Sequence, residues 1–117
     1  MQIVLSGKGI DLTDAIKEYV DKKIIGLDKF HPNIIRAIVE VGVESHHHLK
    51  GEKFVAECKL EIPGKDLFAS KNEKTLYKAI DKVRDYLESE LKKSKAKSHE
   101  KEKKDKRRIR SNKEYQI

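Results

Sequence analysis

A chain of 117 residues with 37% hydrophobic content suits one small domain plus an appendage and is too short for two independent cores. No run approaches the roughly 18 apolar residues of a membrane span, the opening Ile3-Val4-Leu5 is far shorter than a signal-peptide core, and a single cysteine, Cys58, has no partner for an intrachain disulfide, so a soluble cytoplasmic protein is expected. Its 27 Lys and Arg exceed 20 Asp and Glu, but residues 1–91 hold 15 basic against 16 acidic side chains and residues 92–117 hold 12 against 4, an asymmetry that implies a polyanionic partner such as nucleic acid rather than a membrane surface.

Met1 to Ser6 places Ile3 and Leu5 on one face of a short strand, which Gly7-Lys8-Gly9 breaks. A helix comes next. Asp11 or Thr13 is its N-cap, Asp14 suits its positive start, and Ile16, Val20, Ile24 and Leu27 form its apolar stripe, flanked by Tyr19 and Phe30. Gly26 lies near its end and Pro32 forces an exit. From Ile34 to Glu44 the residues Ile35, Ala37, Val39, Val41 and Val43 alternate with Arg36, Glu40 and Glu44, which predicts a second strand. Ser45 to Gly51 is a turn. Phe54, Ala56, Cys58, Leu60 and Ile62 alternate with Lys53, Glu57, Lys59 and Glu61 to give a third strand, and Pro63-Gly64 turns the chain into a short edge strand, Lys65 to Ala69.

The last element is the longest. Leu76, Ile80, Val83, Leu87 and Leu91 recur at helical spacing on one narrow face, and Ser70 with Glu73 has the capping-box spacing, which predicts a helix beginning near Lys71. Polar residues are reserved for one face of the sheet, so both helices are expected to cover the other. The expected fold is a two-layer α+β domain, β-α-β-β-β-α, spanning residues 1–95, with a flexible basic tail over 96–117 whose composition is too polar to offset its ordering entropy.

Opposite the apolar stripe, Lys78, Lys82, Ser89 and Lys93 fall within roughly 60° of one another at about 100° per residue. Charge on a helix is usually a solvated face, but continuity with the basic tail favours phosphate contacts, and Lys23 and Lys29 of the first helix border the same side. Tyr77 and Tyr86 have two readings, as base-stacking rings and as amphipathic helix-edge residues. His46, His47 and His48 with Cys58 suggest a metal, but adjacent histidines splay apart and Cys58 shares the apolar phase of its strand, so a polar turn is the better reading and no metal or other cofactor is expected. No Gly-rich phosphate loop or serine elbow is present, and no enzymatic activity or small-molecule substrate is predicted.

The segment Leu67-Phe68-Ala69, a spacer, Leu76-Tyr77-Lys78-Ala79-Ile80-Asp81, then Leu87-Glu88 and Leu91-Lys92-Lys93, resembles the ribosome hibernation-promoting factors, also called ribosome-associated inhibitors. Ile10-Asp11-Leu12-Thr13-Asp14-Ala15-Ile16 and Leu27-Asp28-Lys29-Phe30 add to the resemblance, which covers Gln2 to about Lys95. It implies a fold like that of double-stranded RNA-binding domains, seated in the decoding region of the small ribosomal subunit, where it obstructs messenger and transfer RNA and silences translation in stationary or stressed bacteria. Lys23, Lys29, Lys93 and Lys95 match basic positions of the family, whereas Gly26, Thr75, Tyr86, Ser89 and Glu90 depart from its pattern. Lys82, Lys92 or the tail would then supply the missing phosphate contacts. Arg108 to Ile117 looks like the opening strand of the C-terminal dimerisation domain of long-form members, which implies a fragment of a protein that is a homodimer at full length, this chain alone being monomeric. A competing reading from another class is a regulatory module whose basic tail contacts an acidic protein; co-sedimentation with small subunits separates the two.

Overall fold

The computed structural model describes residues 1–44 and 54–94; the His46-His47-His48 turn, Lys95 and the basic segment 96–117 lie outside the described residues. Four strands, β1 (Gln2–Lys8), β2 (Arg36–Val43), β3 (Phe54–Ile62) and β4 (Lys65–Glu73), form one sheet in the order β1-β2-β3-β4. β1 pairs parallel to β2, with Gln2 opposite Arg36 and Lys8 opposite Gly42. The remaining pairs are antiparallel, and β3 and β4 are joined through Pro63 and Gly64, the latter at φ +85°, a conformation glycine adopts without steric cost. The parallel pair needs a crossover, which is α1 (Asp14–Ile25) followed by a 3-10 turn, Gly26–Phe30. The second helix, α2, occupies 76–94.

α1 begins where the sequence predicts: Thr13 Oγ1 accepts from the Ile16 amide at 3.2 Å. Asp14 lies in its first turn and Lys22 and Lys23 in its last, each sign matching the helix dipole. Ile16, Val20, Ile24 and Leu27 are all buried, as are Leu76, Ile80, Val83, Leu87 and Leu91 of α2. They close on Ala37, Val39, Val41, Ala56, Cys58, Leu60, Ile62, Leu67 and Ala69 from one face of the sheet, so the core is a single layer between sheet and helices. The Cys58 thiol lies in that layer, and burial pushes its pKa up to about 12, leaving it protonated. The other face of the sheet carries cross-strand polar pairs, among them Arg36 with Glu61 at 2.8 Å, Lys59 with Asp66 at 3.5 Å and Ser70 donating to Glu57 at 3.2 Å, but it is not reserved for polar residues, since Val4, Ile38 and Phe68 share it.

Three boundaries differ from the sequence expectation. β4 does not stop at Ala69; Lys71, Asn72 and Glu73 continue the ladder opposite Ala56, Val55 and Phe54, and Asn72 Nδ2 donates to Glu44. The cross-strand ladder therefore overrides the Ser70–Glu73 capping signal, and α2 begins five residues later than Lys71, with Thr75 Oγ1 accepting from the Lys78 amide at 3.2 Å. β1 runs on through Gly7 to Lys8, and the break falls at Gly9, φ +66°. The strand continues because Gly42 of β2 is opposite Lys8: a Cβ at position 42 would strike the Lys8 carbonyl. Ile35 is the third case. It is 57% exposed, and Ile34, one residue earlier, takes the buried place before β2 begins at Arg36.

Candidate nucleic-acid interface

The two helices run in the same direction across the sheet, because their contacts advance together: the Tyr19 ring meets Tyr77, Lys23 meets Asp81, Gly26 lies nearest Arg84, and Lys92 reaches Phe30. The candidate cations are distributed along this seam and along the outer edge of α2. The seam is held by polar bonds. Tyr19 donates its hydroxyl hydrogen to Asp81 at 2.5 Å, and the Lys23 ammonium sits 3.5 Å from the same carboxylate and 5.4 Å from the centre of the Tyr19 ring. The hydrogen bond to Asp81, then burial, raise the Tyr19 pKa to about 12.

At the far end of the seam the Phe30 ring carries two cations from different elements. Lys29 and Lys92 each place Nζ 5.1 Å from its centre, and Lys92 also lies 3.7 Å from Glu88. On the outer edge of α2, Lys78 is exposed and has no carboxylate within ion-pair distance among the described residues. Lys82, by contrast, is ion-paired to Glu73 at the end of β4, and this contact, followed by the Lys74 amide, holds the Glu73 carboxyl below the usual carboxylate range. Lys93 is 3.5 Å from Glu90, and Ser89 is exposed. Asp85, seven residues after Lys78, stands on the same edge with its side chain 69% exposed and meets Arg84 at 3.3 Å.

The predicted ridge is thus present in geometry but is not a run of bare positive charge. Of the six described lysines predicted to bind, Lys23, Lys82, Lys92 and Lys93 have carboxylate partners, and Lys29 and Lys78 have none among the described residues. An exposed ion pair contributes about 0–1 kcal/mol, whereas phosphate contact also releases condensed counterions, so these carboxylates are weak competitors for a polyanion. The side-chain exposures of Lys82, Lys92 and Lys93, 55%, 62% and 67%, are consistent with such weak competition.

Three features have no counterpart in the sequence pattern. Lys74 falls in the bend before α2, because the helix starts later than its capping signal implies, and the Lys29–Phe30–Lys92 cluster joins residues 62 positions apart for which no local pattern exists. The third is a shallow hollow of about 330 Å³ lined by Ala15, Glu18, Tyr19, Lys22 and Tyr77, where the exposed side of α1 meets the first turn of α2. No group of three potential metal-ligating side chains occurs among the described residues, and no helix there is long and apolar enough to cross a membrane.

Comparison with known proteins bears on the family of the chain. The profile of the family described as Sigma 54 modulation protein / S30EA ribosomal protein matches residues 3–99. The ribosome hibernation promoting factor of Azotobacter vinelandii is 33% identical over 102 residues, covering 87% of this chain and 90% of that protein. The ribosome hibernation promotion factor of Deinococcus radiodurans is 35% identical over 96 residues, 81% of this chain, but this chain spans only 50% of that longer protein. Among solved structures, the N-terminal domain of Thermus thermophilus Protein Y superposes with a TM-score of 0.68 at 33% identity, covering 80% of this chain and 98% of that domain. A ribosomal subunit interface protein from Coxiella burnetii shares the fold at a TM-score of 0.70 and 24% identity, over 82% of this chain and 99% of its own. With a family profile matching residues 3–99 and a relative one-third identical over nine-tenths of its length, the chain belongs to the Sigma 54 modulation protein / S30EA ribosomal protein family.

Proposed function

We propose that this chain is a ribosome hibernation factor: a non-enzymatic, cytoplasmic protein that binds the small ribosomal subunit through its helix layer and reduces translation under stress or in stationary phase. The observation that carries the proposal is the match to relatives named for ribosome hibernation, one of them over 90% of its length, in a domain whose helix layer bears Lys82, Lys92 and Lys93 in exposed ion pairs. Lys23, Lys29, Lys78, Lys82, Lys92 and Lys93 contact rRNA phosphates, with Ser89 as a neutral hydrogen-bonding neighbour and Lys95 continuing the line into the basic segment. Bound in the decoding region, a domain of this size excludes messenger and transfer RNA by occupancy, without chemistry. In a full-length protein with a C-terminal dimerisation domain, two such domains join two ribosomes.

Sedimentation with purified small ribosomal subunits tests the reading. The chain pellets with the subunit and, with about 6 to 10 phosphate contacts, loses roughly 10³- to 10⁵-fold in affinity between 50 and 200 mM salt on the duplex-DNA scale, somewhat less on irregular rRNA. Failure to pellet, or binding indifferent to salt over that range, overturns it.

A further inference from the structure

The aromatic rings of the helix layer are not equivalent. Tyr19 has the Lys23 ammonium over its ring at 5.4 Å, Phe30 has Lys29 and Lys92 at 5.1 Å, and Tyr86 has Lys71 at 4.7 Å. Tyr77 has none among the described residues. It is 42% exposed, lies off the buried stripe of α2, and pairs with the Tyr19 ring, at 4.8 Å between centroids and 89° between planes. An edge-to-face contact leaves ring surface uncovered. That surface borders the hollow lined by Ala15, Glu18, Tyr19, Lys22 and Tyr77, whose volume of about 330 Å³ lies at the small end of the range for ligand sites.

Two charged groups at this hollow have no ion-pair partner among the described residues. Lys22 is exposed on α1 and offers a cation, and Glu18, one turn earlier, offers a carboxylate. A carboxylate beside a polyanion is unfavourable unless it has a donor to meet. The exocyclic amines of adenine, cytosine and guanine are such donors, whereas the one base donor of uracil, its ring N3–H, lies between two carbonyl oxygens that repel a carboxylate. A part-exposed aromatic ring, a cation and a carboxylate lining one hollow make up a platform for a single unpaired nucleotide: the ring stacks on the base, the cation meets its phosphate, and the carboxylate meets its edge.

We propose that the hollow between α1 and the first turn of α2 is a stacking site for one unpaired rRNA base, with Tyr77 as the platform, Lys22 as the phosphate contact and Glu18 as the acceptor for an amino-bearing base edge. This deepens the ribosome-binding reading and rests on it. It adds shape and base selection to a surface that otherwise contacts only phosphates.

The test uses the whole chain and purified small ribosomal subunits. Wild type, Tyr77→Leu and Tyr77→Phe are titrated in sedimentation at fixed salt, their melting temperatures are recorded, and the wild-type complex is ultraviolet-crosslinked and the adducts mapped by mass spectrometry. Stacking on one base corresponds to roughly 5- to 150-fold in affinity, so Tyr77→Leu weakens binding by that factor while Tyr77→Phe stays near wild type. Tyr77 then appears in a crosslink to an adenine, cytosine or guanine nucleotide. Wild-type affinity for Tyr77→Leu overturns the stacking site and leaves ribosome binding standing. A wild type that does not pellet overturns both. If both variants bind weakly because they melt early, the wild-type crosslink decides: an adduct at Tyr77 supports the site, and adducts only elsewhere overturn it. An adduct of Tyr77 to uridine alone overturns the selection of an amino-bearing edge by Glu18.

Discussion

Tyr19 on α1 donates its hydroxyl hydrogen to the Asp81 carboxylate on α2 at 2.5 Å, the shortest of the polar links that fix the two helices side by side. A hydrogen bond to a charged group contributes about 1.5–3 kcal/mol when sheltered and less at a half-exposed site, so Tyr19→Phe should lower stability by about 1 kcal/mol. The pH dependence has a definite sign. The folded pKa of about 12 lies above the ordinary tyrosine value of 10.0, so this contribution is fully present below pH 10 and is lost as pH rises through 12. Absorbance titration of tyrosinate should show a late-ionising ring in the wild type that is lost in Tyr19→Phe.

The start of α2 gives a second test. Thr75→Ala should cost about 1 kcal/mol, the usual loss for an N-cap hydroxyl, because Thr75 Oγ1 accepts from the Lys78 amide. Ser70→Ala should change stability by no more than about 0.5 kcal/mol, since its hydroxyl makes one exposed bond to Glu57. Urea denaturation of both variants checks this; a larger loss for Ser70→Ala would restore the earlier helix start.

The Glu73–Lys82 pair tests the proposed phosphate contacts. Glu73→Gln should remove one competing carboxylate from the Lys82 ammonium, raising affinity for small subunits and steepening the salt dependence by up to about one unit of slope. The folded pKa of Glu73 is lowered, chiefly by Lys82, so the stability from this pair is present above pH 4.5 and is lost as pH falls through the folded value. Glu73→Gln should therefore melt with a shallower dependence on pH on the acid side. Unchanged ribosome affinity would mean that Lys82 takes no part in binding.

Leu87 and Lys78 are on opposite sides of α2. Leu87 is fully buried, and truncation to alanine should cost about 2 to 5 kcal/mol through the cavity it leaves. Lys78→Ala should stay within about 0.5 kcal/mol of wild type in stability while weakening ribosome binding. Equal thermal shifts in the two variants would contradict the phase of the helix.

Helix faces are legible in the sequence because burial has a period that residue types alone reveal, which is why every residue of the stripes from Ile16 to Leu27 and from Leu76 to Leu91 is buried as its spacing predicts. The end of β4 is not legible. Ser70 and Glu73 carry a helix-start signal worth about 1 kcal/mol, and three further residues of cross-strand pairing, visible only once β3 is in place, outweigh it. The same limit applies to the site. Cations on one helix face can be counted from spacing, but their carboxylate partners on β4 and α2, and the convergence of Lys29 and Lys92 on Phe30, depend on how the elements meet.

The parallel pairing of β1 with β2 has a consequence for how the domain assembles. β2, β3 and β4 are joined by antiparallel pairing between chain neighbours, whereas Gln2 must find Arg36, 34 residues away, after α1 has crossed over. Closing that long loop is slower than closing a hairpin, so during synthesis the first seven-residue strand leaves the ribosome and waits for its partner, docking last as an edge. Pulse-labelling hydrogen exchange during refolding should then protect the amides of β3 before those of β1.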